Sequence, residues 1–231
     1  MPKSQDLFAA AIAPVIDAAH VNIHAHSRAA GALVAEELGI SPGLLVDLRY
    51  ALRHRPMSRH DLETVYRYGT AADLDDELAG HLAQGTLEPG YRTTALGNAF
   101  IDGLYAVHAA TADRVWPEVT VTSELVGRVL AAAMTEAGPA LSVMAPPYEP
   151  ERAGAGLLLF NRLAALRYHR ADAHAAAWRA AGLTARQVVT LRGGQVRESI
   201  EADTNARAAL PYAVLTDDER DTLITSLGEL V

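Results

Sequence analysis

The chain contains no cysteine, which removes disulfides, thiolate metal sites, iron-sulfur clusters and a cysteine nucleophile from consideration. Chemistry must come from histidine, carboxylates, serine or tyrosine, or from a bound cofactor, although none is expected. Aromatic residues make up only 6% of the 231 residues while alanine is frequent, a balance that favours close-packed helices over a β sandwich. Glycine-rich phosphate loops, the nucleophile elbow of hydrolases and the paired-histidine zinc motif with its glutamate are all missing. Low-complexity tracts and charge runs are missing too. The start MPKSQDLFAAAIAPV lacks the basic flank and uninterrupted apolar core of a signal peptide, and no later run reads as long enough to span a bilayer. The expectation is a cytoplasmic protein without a membrane partner.

What is present is ample apolar material, 50% of residues, for a buried core. The net charge of -8 and the pI near 5.5 oppose generic attraction to phosphate backbones, although a local patch can override the average.

The stretch from Ser58 to Phe100 carries the clearest order of elements. Ser58 with Asp61, and Thr70 with Asp73, are spaced as helix caps, so two short helices are expected around Gly69. Residues 86–93 read as a hairpin about Pro89-Gly90, and Thr94 opens a long helix that ends before Pro117. Upstream, apolar steps of three and four from Phe8 to Leu33 predict one or two helices, bent at Pro14. Ser41-Pro42 is expected to open another helix running toward Arg55. Helix, helix, hairpin, helix is the order of a winged helix-turn-helix, placed at about residues 41–116.

The domain reading follows from composition breaks. Residues 1–137 form an N-terminal part holding this module. Residues 138–156, with four prolines and several glycines, read as a linker or a loop over a site, and residues 157–231 form a C-terminal helical module. Within the latter, residues 175–194 repeat the order helix, glycine, capping threonine, helix, as a degenerate helix-turn-helix would. Thr216 with Glu219 makes a capping box for the last helix. The fold class expected is mainly α.

Function is harder to read, because the groove-facing helix of a winged helix would be residues 71–84, which carry Asp73, Asp75, Asp76 and Glu77 and neither Lys nor Arg. Four carboxylates repel a duplex, which favours a surface lost for DNA or turned toward another protein over one that reads bases. Arg53, Arg55 and Arg59 cluster upstream together with Arg49 and Arg67, and Arg92 lies in the wing. Arg186, Gln187 and Arg192 in the second candidate helix have chemistry better suited to DNA, though such a face is often simply solvated.

Two further groups stand out. His20 and His24 are four apart on a helix and are the weak candidates for a metal pair, against the plainer reading of a surface pair, while His26 falls on the apolar stripe and is expected in the core. Tyr168, His169, Asp172 and His174 concentrate acid-base chemistry in an alanine-rich helix. His169 and Asp172 share a face, and His174 points toward Trp178. The polar-face reading competes with a pocket roofed by the proline-rich segment and walled by Tyr148, Tyr168 and Trp178, in which His169, Asp172 and Tyr168 are the weak catalytic candidates.

The C-terminal portion, LRYHRADAHAAAWRAAGLTA followed by IEADTNARAALPYAVL, resembles a family of helix-turn-helix proteins labelled MarR-like. The shared features are a long helix ending in His169 to His174, a helix of the type Ile200 to Asn205, and a Pro211-Tyr212 turn. The resemblance covers about the last third of the chain and implies an all-helical core with winged-helix modules and, by its label, transcriptional regulation. This sequence departs from the pattern after Leu191, where little chain is left for a second wing. Together these readings give a ligand-responsive regulator that binds a small, mostly apolar molecule and double-stranded DNA. It is expected as a homodimer through the helix at 95–116 or the terminal helices. The rival is an enzyme or sequestering protein that keeps the scaffold and not the DNA.

Overall fold

The computed structural model describes residues 4–231. Residues 1–3, the first of the segment MPKSQDLFAAAIAPV, lie outside the described residues. The chain is mainly helical, 74% helix and 2% strand. In order, the helices are α1 (Gln5–Leu38), α2 (Leu44–Leu52), α3 (Arg59–Val65), α4 (Ala71–Ala83), α5 (Ala95–Val115), α6 (Thr120–Met134) and α7 (Pro139–Met144). Then follow α8 (Ala155–Ala180), α9 (Ala185–Thr190), α10 (Gln195–Ala208), a 3-10 turn at Leu210–Val214, and α11 (Asp217–Gly228). The strands β1 (Leu87–Glu88) and β2 (Arg92–Thr93) form an antiparallel hairpin that pairs Leu87 with Thr93 and Glu88 with Arg92.

Local chemistry accounts for most boundaries. Ser58 and Thr216 close capping boxes with Asp61 and Glu219, and Thr70 and Thr94 accept from the amides of Asp73 and Gly97. Thr184 also closes a box, with Gln187. The α2 start is different. Ser41-Pro42 does not open it; Gly43, at φ 39, is the N-cap residue. Its first amide, on Leu44, donates instead to the Glu77 carboxylate at 2.8 Å, and the Ser41 amide donates to Gln84. A cap from another helix has replaced the local one.

Helix α1 is a single helix through Pro14. Its length and apolarity are sufficient to cross a membrane, contrary to the expectation above. That apolarity has an internal use, since Phe8, Ile12, Ile16, Ala19 and Ile23 are buried in the core. It packs against α5, α8, α10 and α11.

Residues 139–144 are a correction to the linker reading. They form α7, with Ala140, Leu141 and Met144 fully buried between α3, α2 and α8. Pro139 stands in its first turn, and one continuous apolar core runs from Phe8 to Leu227. A small second cluster, Ala175, Ala177, Trp178 and Ile200, supports α9. The apolar stripes considered for dimerisation are used within the chain: Phe100, Ile101 and Leu104 of α5, and Leu223 and Leu227 of α11, are buried.

Candidate ligand cleft and the arginine surfaces

The C-terminal half of α8 lies against α1 and α10, and the residues facing one another there are small: Ala9 and Ala13 on α1, Ala171 on α8, Ala208 on α10. Between them lies a cleft of about 360 Å3, lined also by Ile16, Leu166, Tyr68 and Tyr212.

Its polar lining comes from His169, Arg170, His174, Glu201 and Thr204, with Asp17 and Arg167 at the α1 edge. Trp178 Nε1 donates to the Tyr68 hydroxyl at 3.3 Å, and that hydroxyl lies 2.8 Å from His174 Nδ1. The hydroxyl thus joins the indole and the imidazole in one chain of hydrogen bonds. Burial lowers the pKa of His174, with Glu201 opposing, and burial likewise lowers that of His169, with the Ala208 backbone and Asp172 opposing. Both rings therefore stand neutral at pH 7, each able to donate and to accept. Arg170 reaches Glu201 at 3.4 Å and Arg167 reaches Asp17 at 2.6 Å, so the charged groups of the lining are paired with one another.

Of the expected pocket residues, the structure brings His169 and His174 into one cleft and sets Trp178 behind Tyr68. The two are five residues apart and so point in different directions from α8, but a cleft that spans two neighbouring helices accepts side chains from a wide arc of it. The other three go elsewhere. Asp172 faces the opposite way: its carboxylate accepts from the amides of Ala140 and Leu141 at 3.1 and 2.9 Å and from Arg67 at 2.7 Å. It is the N-terminal cap of α7. Tyr168 lies on the side of Asp47 and Tyr50, where burial pushes its pKa up to about 12. Tyr148 packs over Arg53 and edge-on to Tyr105 and His54. Sequence reasoning missed Tyr68, Glu201 and Thr204, which come from a turn and a polar helix with no pattern to mark them.

The histidine readings are also corrected. His20 and His24 are not a surface pair. Their rings meet at 4.7 Å and pack on Phe160, and His24 also meets His108 of α5 at 5.5 Å. Burial and the charges of Arg49 and Arg167 hold His24 at about 4, and burial with Arg49 and His24 holds His108 at about 2. Among the described residues no group of ligands is arranged to hold a metal. His26 is exposed, its Nδ1 2.9 Å from the Asn22 carbonyl. The buried face of α1 runs through Ile16, Ala19, His20, Ile23 and Ser27, which leaves position 26 outside.

The arginines considered for phosphate contact are largely committed within the chain. Arg53 faces Asp102 at 3.3 Å, Arg55 donates to the carbonyls of Ser142 and Val143, and Arg59 pairs with Glu63 and Asp75. Arg92 pairs with Glu88 in the hairpin, Arg67 is held by Asp172, and Arg49 is fully buried. Three of the four carboxylates of α4 are engaged as well: Asp73 with Thr70, Asp75 with Arg59, Glu77 on the α2 amide. By contrast Arg186 and Arg192 are exposed and make no ion pair among the described residues, while Gln187 is used in the α9 capping box.

No protein-family model, no curated protein and no solved structure matches this chain.

Proposed function

We propose that the protein binds a small molecule in the cleft between α1, α8 and α10, on a winged-helix-like scaffold whose α4 does not read DNA, in the cytoplasm. The carrying observation is the convergence of His169, His174, Tyr68 and Glu201 on one alanine-walled cleft. Neutral imidazoles, a hydroxyl and balanced ion pairs suit an uncharged or zwitterionic ligand with a compact apolar body. The commitment of Arg53, Arg55, Arg59 and Arg92 to partners within the chain, together with the four carboxylates of α4, supports a scaffold that has left duplex DNA. The test is a thermal-shift screen of a small-molecule collection on the wild type and on Ala171→Phe, which fills the cleft from within α8. Compounds that raise the midpoint of the wild type and not of the variant support the reading; a screen in which every stabilising compound acts equally on both overturns it.

The free arginines favour a second reading, a ligand-responsive regulator that contacts DNA through the C-terminal module, as the MarR-like resemblance implies. Arg186 and Arg192 would then make phosphate contacts that are lost with salt. Duplex binding at low salt that is abolished by Arg186→Ala with Arg192→Ala supports this reading, and unchanged affinity in the double variant removes it.

A further inference from the structure

The strongest unexplained chemistry lies outside the cleft, in the core where α1, α2, α5 and α8 meet. Arg49 is 1% exposed, and among the described residues no carboxylate lies within ion-pair distance of it. Its guanidinium donates to the Val46 carbonyl at 2.7 Å and to Asn161 Oδ1 at 3.1 Å, and stacks on Phe160 at 4.7 Å and Tyr50 at 5.2 Å. Its Nε has no partner. The carboxylate of Asp47 acts on it only from beyond ion-pair distance, and taking a cation out of water without a charge in contact is costly even after the surroundings relax.

The unpartnered polar atoms beside Arg49 are donors. An arginine can only donate. The Arg49 contact therefore fixes Asn161 with Oδ1 toward the guanidinium, so that Nδ2 is a donor; it is unpartnered, in a side chain fully buried. By the same reasoning Arg167, 3.1 Å from His20 Nδ1, forces the proton of the neutral His20 ring onto Nε2, again an unpartnered buried donor. His108 Nδ1 is a fourth unpartnered buried atom, free to carry its proton where needed. Arg49, His20 and His108 all pack around the Phe160 ring, and Asn161 is its chain neighbour. A metal ion needs lone pairs, which donors fixed in this way do not offer.

We infer that this core binds one small monovalent anion, halide-sized, held by Arg49 Nε and Asn161 Nδ2 with the histidine donors around it. One negative charge balances the one buried guanidinium and supplies the acceptor that the donors lack. Multivalent oxyanions do not suit it, since a second charge would be left uncompensated in the core.

The experiment is thermal unfolding of the full chain in sodium bromide against sodium gluconate at matched ionic strength, with the bromide position located by anomalous diffraction. The wild type is expected to gain several degrees with rising bromide and to saturate, with bromide seen beside Arg49. Asn161→Asp builds a carboxylate in place of the anion and is expected to lose the bromide dependence while remaining folded. Arg49→Met removes the charge with a side chain of similar length and is expected to lose it as well. A midpoint indifferent to bromide, an equal dependence in Asn161→Asp, or water in place of bromide beside Arg49 each overturns the inference.

Discussion

Arg67, in the turn that follows α3, and Asp172, in the middle of α8, meet at 2.7 Å with both side chains less than a tenth exposed. The same carboxylate caps α7, so one side chain ties three segments together. Gly138 lies so close that a Cβ there would stand 2.6 Å from the Asp172 carboxylate. Removing one member of a buried pair leaves the other charge uncompensated. Arg67→Met is therefore expected to cost about 3 kcal/mol or more in urea unfolding. The double variant Arg67→Met with Asp172→Asn should cost less than the sum of the two single changes, as coupled partners do.

The hairpin sits against α5 through Gly97, where a Cβ would lie 2.2 Å from the Thr86 carbonyl oxygen. Backbone cannot yield as a flexible side chain does. Gly97→Ala should cost about 1–3 kcal/mol, the usual range for overpacking, whereas Gly228→Ala, which meets nothing within 4 Å, should leave the urea midpoint close to that of the wild type.

Acid should weaken the fold before the carboxylates titrate. His24 and His108 have native values of about 4 and about 2, and His20 is shifted in the same direction by burial first and Arg167 next. In the unfolded chain each takes a proton near 6.5, so below that pH the unfolded state holds more protons and gains. The stability these rings contribute is complete above about pH 7 and is lost progressively as pH falls through the interval between the two values. The limiting slope is about 1.4 kcal/mol per pH unit for each ring. Urea midpoints at pH 7.5 and 5 measure it, and His24→Gln should shallow the slope.

Glu77 replaces a local cap for α2. Glu77→Ala is expected to cost about 1 kcal/mol, as loss of a helix cap does, and to raise amide exchange at Leu44. Asp76→Ala, one position away on the exposed face of α4, should change neither.

Much of the fold was legible because it is local. Ser58, Thr70, Thr94 and Thr216 mark their helix starts by bonds that reach only three residues along the chain, and Pro89-Gly90 bends the hairpin in the same way. The site was legible only in part. His169 and His174 stood out by residue type, while Tyr68 and Glu201 reach the cleft from other elements and leave no periodic trace. His20 and His26 were exchanged between surface and core because the apolar stripe of α1, rich in alanine, is too weak a marker to tell one helical face from the next.

Composition and short-range spacing thus determined the helical class, the order of the elements and most of their caps, since propensity and capping are properties of a few adjacent residues. The tertiary structure alone decided which charges are spent. Asp172 turned from a suspected catalytic acid into a cap for α7, the upstream arginines into internal partners, and residues 139–144 from linker into core. The reason is physical: a charged side chain settles on whatever donor or acceptor the packing brings within about 3 Å, and that neighbour, here 105 residues away for Arg67 and Asp172, is set by the fold as a whole.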